Sequence, residues 1–390
     1  MKNLLLLVLG VIFSAHLLAT EKFTVQQVDF LVGDSFKMKG VLYFPKNEPL
    51  KKMIVEITNR LTFKSACDSS SYDYMLMQKL VDDGVGWFLI SPMSVILPME
   101  KHICKNFQND AVYLDSAVSY LKRTVDARSC HIGVLGQSEA GMAAAVSASR
   151  NPDIDFLISV TSFMIKGTDF FTFNLLSSEN IKTHGISGTR FDMFKAFIKD
   201  TFNYNNVKYY KSDKIFMKCI ESTIDTLARI IIQMNYVTIN DYLNILSKTK
   251  EQFISLWDLN NSVLNNKPLM DCINLLCILM FNPHDVAFIQ WNPQLYFPKI
   301  NVPTLILLGD KDGLMPLEKN LNGINKIANL YNKKNITIKV LQGHGHGLSV
   351  YPSNEQNTDF EKPDKTNPNC SSTPESTINL VADWILKIKK

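Results

Sequence analysis

Beyond Ala19 the chain has no apolar run of membrane-spanning length that is free of charge, and it has no block of basic residues interleaved with aromatics. The first lack speaks against an internal bilayer-spanning helix, and the second against a surface built to track phosphates. No two cysteines form a CxxC pair. The seven, at 67, 104, 130, 219, 272, 277 and 370, are too scattered for a zinc knuckle or a disulfide-built scaffold. Their odd number leaves at least one thiol free or shared with another chain. A dominant charge is missing too: 41 basic against 37 acidic side chains leave a net +4, so nucleic acid is not an expected partner. What is present, 46% hydrophobic residues in a chain of 390, can fill the core of one large domain or of a domain with a sizeable insertion.

The N-terminus stands apart. Lys2 precedes an almost unbroken apolar run from Leu4 to Leu18, closed by the small residue Ala19. This is the pattern of a secretory signal peptide. The run is shorter than the ~20 apolar residues a bilayer-spanning helix needs. Residues 1–19 are therefore expected to be removed, leaving a periplasmic or extracellular protein without stable membrane insertion. Such a location permits disulfides without requiring them.

Period-two patterns open the remaining chain at Thr24 to Leu31, Met38 to Phe44 and Met53 to Thr58. They predict strands, the first two joined as a hairpin around Gly33 and Asp34. Helical spacing then alternates with short apolar strands. Helices are expected over Tyr72 to Val81, Ala111 to Leu121 and Met142 to Ser149, and strands over Trp87 to Ile90, His131 to Leu135 and Phe156 to Val160. Alternation at this length implies parallel strands joined by right-handed crossovers, hence an α/β sheet flanked by helices. From Gly167 to near Asp285 the rhythm stops, and Phe, Tyr, Leu and Ile recur at helical spacing. It resumes with Thr304 to Leu308, Leu317 to Tyr331, Ile336 to Leu341 and a closing helix over Thr377 to Ile388. The economical division is a core of residues 20–166 and 286–390, interrupted by a helical cap over 167–285. Pro352 to Glu375 reads as a long polar surface loop.

The chemistry concentrates where apolar strands end. In Gly136-Gln137-Ser138-Glu139-Ala140-Gly141 a strand runs through a tight turn straight into a helix. A serine at such a turn is lifted above the sheet, its neighbours must be small, and the helix start places backbone N–H groups, including that of Glu139, around a developing oxyanion. The plain alternative is a Gly/Ser turn in the core. A nucleophilic serine needs a base, and that base needs an orienting acid. Asp312 follows the strand Thr304 to Leu308, with Asp310 as competitor, better placed to turn the loop. His346 lies in Gly343-His344-Gly345-His346-Gly347-Leu348, just past another strand, and His344 has nearly the same surroundings. One HxH pair with no nearby third ligand does not make a metal site, so no metal or other cofactor is expected. His102, His131, His184 and His284 lack such loop positions and read as structural or surface groups.

At these residues the chain resembles bacterial exported α/β-hydrolases of the esterase and dipeptidyl-peptidase-like kind. Gly136-Gln137-Ser138-Glu139-Ala140-Gly141 is similar to their GHSEGG elbow. Asn292-Pro293, with Ile300 through Pro303 to Gly309 and Asp312, is similar to their DP…IxxPxLxxxGxxD segment. His346-Gly347-Leu348 falls where they carry an NHL-like stretch, and Ala382-Asp383-Trp384-Ile385 is similar to their terminal helix. The resemblance implies an α/β-hydrolase fold and a triad of Ser138, Asp312 and His346. Two blocks depart from it. The family's glycine-rich stretch after the third strand, which supplies half of the oxyanion hole, is replaced by Ile57-Thr58-Asn59-Arg60-Leu61, putting Asn59 and Arg60 beside Glu139 as oxyanion-hole candidates. The family's Asp-x-Arg-Gly is replaced by Ser91-Pro92-Met93-Ser94, and the apolar loop that follows offers Met93, Ile96 and Leu97 as substrate contacts. Cys67 and Cys104 follow the third and fourth strands, neighbours in this fold; a bridge and two separate thiols both stand open.

The leading expectation is hydrolysis of a small-molecule carboxylic ester through an acyl-enzyme. Amide cleavage by an aminopeptidase and acyl transfer share that intermediate. A non-catalytic binding protein on the same fold is the alternative of another class, motivated by the Asn59-Arg60 loop and opposed by the retention of serine, acid and histidine together. Oligomeric state is left open.

Overall fold

The computed structural model of the chain describes residues 23–33, 36–58, 72–91, 106–124, 130–170, 231–232, 283–315, 317–350 and 373–389. β1 (Phe23–Val32) and β2 (Phe36–Pro45) pair antiparallel, in register from Phe23 against Pro45 to Val32 against Phe36. β1 buries alternate residues along its second half, as an edge strand with one wet face does. The next strands differ in kind. β3 (Lys52–Ile57), β4 (Val85–Ile90), β6 (Phe156–Val160) and β7 (Thr304–Gly309) are buried at every residue. Continuous apolar runs of this type belong to parallel sheets covered on both faces. β5 (His131–Gln137) and β8 (Ile336–Leu341) complete eight strands in the order β1-β2-β4-β3-β5-β6-β7-β8. β2 runs antiparallel to both its neighbours, and every other pairing is parallel.

The helices divide between the two faces. α1 (Tyr72–Leu80) and α6 (Glu375–Lys387) cover one face, where Leu76, Leu80, Val381 and Ile385 meet Ile54, Leu135, Ile158 and Leu307 of the sheet. α2 (Phe107–Arg123), α3 (Glu139–Ala148) and α5 (Leu317–Leu330) cover the other, packing Leu114, Val118, Met142 and Ile324 against Val55, Val134, Leu157 and Ile306. Asn106 starts α2 by accepting from the N–H groups of Gln108 and Asn109 at 3.0 and 2.9 Å, the standard polar cap. Asp115 then ties α2 to α3, accepting from Ser147 Oγ, Arg150 Nε and Asn151 Nδ2 at 2.5, 2.8 and 3.0 Å. Strand order, the single reversed strand and a serine turn between β5 and α3 make this the α/β-hydrolase fold.

The chain leaves the sheet after β6 and returns to the same place. The Gly167 N–H donates to Trp291 O at 2.9 Å, and Trp291 Nε1 donates to Phe163 O at 3.0 Å. Phe163 stands edge-on to Phe170 and Phe288, with centroids 4.4 and 4.6 Å away. α4 (Pro283–Gln290) carries the chain back, and Gln290 Nε2 reaches Ile231 O at 2.8 Å. Of the cap expected over 167–285, residues 171–230 and 233–282 lie outside the described residues, as do the signal segment 1–19 and residues 352–372 of the polar loop expected to run to Glu375, which instead opens α6. None of the described helices is long and apolar enough to cross a membrane.

Candidate active site

Ser138 joins the end of β5 to the start of α3 with φ 54° and ψ −123°. An L-residue avoids this region and holds it only where the surroundings dictate it, at a cost of about 1–3 kcal/mol. Two backbone bonds do so here: the Ser138 N–H donates to Val160 O on β6 at 2.8 Å, and Ser138 O accepts from the Gly141 N–H at 3.0 Å. The turn has no room to spare. A Cβ on Gly136 would stand 2.2 Å from Ala140 O, which is why this flank must be glycine. Glu139 opens α3, so its N–H points out of the helix at the positive end of the dipole, beside the serine. Its side chain is half-buried, because the elbow lies within the rim of the sheet and the rest of α3 is buried throughout.

The acid and the histidine come from the loops after β7 and β8. Asp310 turns its loop, as expected from its place at the strand end, by accepting the Gly343 N–H at 2.6 Å. That leaves Asp312 to face inward. Its Oδ1 accepts from the N–H groups of Leu314 and Met315 at 3.0 and 3.1 Å, and its Oδ2 accepts from His346 Nδ1 at 2.8 Å. The two side chains are 3% (His346) and 2% (Asp312) exposed. A carboxylate only accepts, so the imidazole proton is on Nδ1 and Nε2 is the basic nitrogen. The two loops must lie nearly in contact for this bond to form. A Cβ on Gly309 would fall 2.2 Å from His344 O and 2.9 Å from Gly345 O.

His344 is turned elsewhere. Its Nδ1 donates to Gln342 O and its Nε2 accepts from the Thr377 hydroxyl of α6, both at 2.8 Å. Both ring nitrogens are thus engaged in fastening the loop, and the local similarity of the two histidines ends there. His131, at the other end of β5, lies 3.8 Å from Asp155. Among the described residues no three His, Cys, Asp or Glu side chains converge as a metal site would require.

The backbone of His346 is tied to the segments that flank the serine turn. Its carbonyl oxygen accepts from Gln137 Nε2 at 3.1 Å and from Thr161 Oγ1 at 2.8 Å. Gln137 is the residue before Ser138, and Thr161 follows Val160, which binds the Ser138 N–H. The motif reading of the sequence missed both Gln137 and Thr161. The signal available for Thr161 was a polar residue directly past the apolar strand Phe156–Val160, where ligand-facing groups of parallel sheets gather. The arrangement has the elements of nucleophilic acyl chemistry: a serine at a strained strand-to-helix turn, an oriented imidazole and a helix N-terminus. Asn59, Arg60, Met93, Ile96 and Leu97, with Cys67 and Cys104, lie outside the described residues.

No family model matches the sequence, and no curated protein matches it. Among solved structures, Est1E from Butyrivibrio proteoclasticus is 13% identical with a TM-score of 0.45, over 93% of this chain and 98% of that one. Dienelactone hydrolase from Anabaena variabilis is 12% identical with a TM-score of 0.45, over 95% and 100%. Pyrococcus horikoshii acylaminoacyl peptidase is 10% identical with a TM-score of 0.48, over 98% of this chain but 44% of the peptidase. At this depth the likenesses carry nothing about substrate, and the fold rests on the strand order and registers given above.

Proposed function

We propose that the protein is a serine hydrolase that cleaves small carboxylic esters through an acyl-enzyme. The observation that carries the reading is the bond from His346 Nδ1 to Asp312 Oδ2, made by a histidine whose own backbone is held by the residue before a strained serine. Ser138 Oγ attacks the acyl carbonyl while His346 Nε2 takes its proton, and Asp312 fixes the tautomer and steadies the imidazolium. The charge developing on the carbonyl oxygen is met by the Glu139 N–H at the start of α3, with the loop from Asn59 and Arg60 assigned the second donor. The imidazolium then protonates the leaving alkoxide. Water enters, gives a proton to Nε2 and attacks the ester of Ser138, and the acid departs with the serine restored.

Amide cleavage and acyl transfer pass through the same acyl-enzyme, with His346 protonating the leaving group in each case. The protein is assigned to the periplasm or the extracellular space on its N-terminal segment, and N-terminal sequencing of the exported protein tests cleavage after Ala19. The decisive test of the chemistry is a fluorophosphonate probe. Labelling of the wild type at Ser138, absent in Ser138→Ala, together with turnover of p-nitrophenyl esters, supports the reading. A folded protein that neither labels nor turns over such esters excludes it and leaves the binding-protein alternative.

A further inference from the structure

Thr161 is a buried β-branched residue with φ 44°. The left-handed region is a genuine outlier for such a side chain and persists only where its neighbours dictate it. Two hydrogen bonds hold it. Its N–H donates to Leu307 O on β7 at 2.8 Å, and its hydroxyl donates to His346 O at 2.8 Å. The residue before it, Val160, accepts the Ser138 N–H at 2.8 Å. Two consecutive residues at the end of β6 thus grip the backbones of the nucleophile and of the base. One peptide unit becomes the ruler between them. Gln137 Nε2 supplies a second donor to the same His346 carbonyl at 3.1 Å, filling both lone pairs of that oxygen.

We infer that Thr161, seconded by Gln137, is a positioning residue that sets the reach of His346 to Ser138, and that its strained backbone is kept for this purpose. The inference rests on the serine-hydrolase reading above. A merely structural role would need only a side chain of this shape, and valine supplies that shape with the same β-branching. What valine lacks is the hydroxyl, and without it the bond from Thr161 to the His346 carbonyl is lost while that from Gln137 remains. A misplacement of about 1 Å at a catalytic group costs on the order of 10²-fold in rate.

The experiment compares Thr161→Val, Thr161→Ser, Gln137→Met and the Val/Met double variant with the wild type on p-nitrophenyl butyrate, alongside Ser138→Ala. Thr161→Val is expected to lose roughly 10- to 100-fold in kcat with KM held within about twofold, and Thr161→Ser to stay within about threefold of the wild type. Gln137→Met should lose less. The double variant should lose more than the product of the single losses, because the two donors share one acceptor. Wild-type kcat in Thr161→Val, or a loss that Thr161→Ser shares in full, overturns the inference. If Thr161→Val fails to fold, Gln137→Met carries the test: a fall in kcat at constant KM supports the inference, and an unchanged kcat overturns it. Residual full activity in Ser138→Ala would instead remove the hydrolase reading itself, so the two failures are distinct.

Discussion

At the scale of single residues, Ser138 pairs a chemical demand with a conformational one, and the two can be separated by substitution. Ser138→Ala keeps the strained φ of 54° and removes only the attacking oxygen. Turnover of p-nitrophenyl esters should vanish while the melting temperature changes little. Ser138→Gly should be equally inactive but more stable than Ser138→Ala, since glycine adopts this backbone freely. The strain of about 1–3 kcal/mol exceeds the 0.5–1 kcal/mol or so that glycine's extra chain entropy costs. Urea denaturation of the two variants checks the order, and equal midpoints would mean that the strain relieved is no larger than glycine's entropy cost. The histidines make a second pair. His346→Ala should lower kcat nearly as far as loss of the serine. His344→Ala should act on stability instead, by about 1–3 kcal/mol, because it leaves the Thr377 hydroxyl and Gln342 carbonyl without their bonds. Reversed effects would exchange the two roles. The choice of His346 over His344 was legible only through the resemblance, because local spacing treats both alike. The structure separates them by what each ring touches.

At the scale of elements, runs of β-branched and aromatic residues made the strands readable. Phe156–Val160 and Ile336–Leu341 fall where the periodicity puts them. Helix starts were less legible. α2 begins at Phe107, ahead of the expected Ala111, because the Asn106 cap satisfies its first amides and the first turn is otherwise too polar to show a helical stripe. α3 likewise begins at Glu139 rather than Met142, since an elbow passes from strand to helix without a polar spacer. The approach of the β7 and β8 loops was legible only through the Asp312–His346 pair that the resemblance implies, because local spacing does not show two distant loops in contact. It can be tested at Gly309. Alanine there meets the His344 backbone, not a movable side-chain end, so the loop carrying His346 must shift. Gly309→Ala should lose on the order of 10²-fold in kcat, with a far smaller change in KM for a short ester. An alanine variant with wild-type kcat would show that the loop can yield without disturbing the imidazole.

At the scale of the whole molecule, two helical layers around a sheet whose central strands are buried seal tyrosines whose ionisation then opposes the fold. Tyr113 on α2 is pushed up to about 12, chiefly by burial and further by the Asp110 carboxylate. Tyr72 at the start of α1 is pushed well up by burial, then by Asp73 and Glu56. In the unfolded chain both titrate near the ordinary value of about 10. Below that pH both states hold their protons, and the tyrosines leave stability independent of pH. Above it the unfolded chain releases protons that the folded protein retains, so stability falls as pH rises from about 10 to about 12. The two tyrosines lie on opposite faces of the sheet, and the contribution of each begins above pH about 10. Melting temperatures measured between pH 9 and pH 11.5 should therefore drop steeply past pH 10. Tyr72→Phe distinguishes this cause from general alkaline damage. The Tyr72 hydroxyl is buried without a hydrogen-bond partner among the described residues, so removing it should leave stability at pH 8 unchanged or slightly raised, and should flatten the decline above pH 10. A Tyr72→Phe variant that melts along the wild-type curve throughout that range would rule out a contribution from this group.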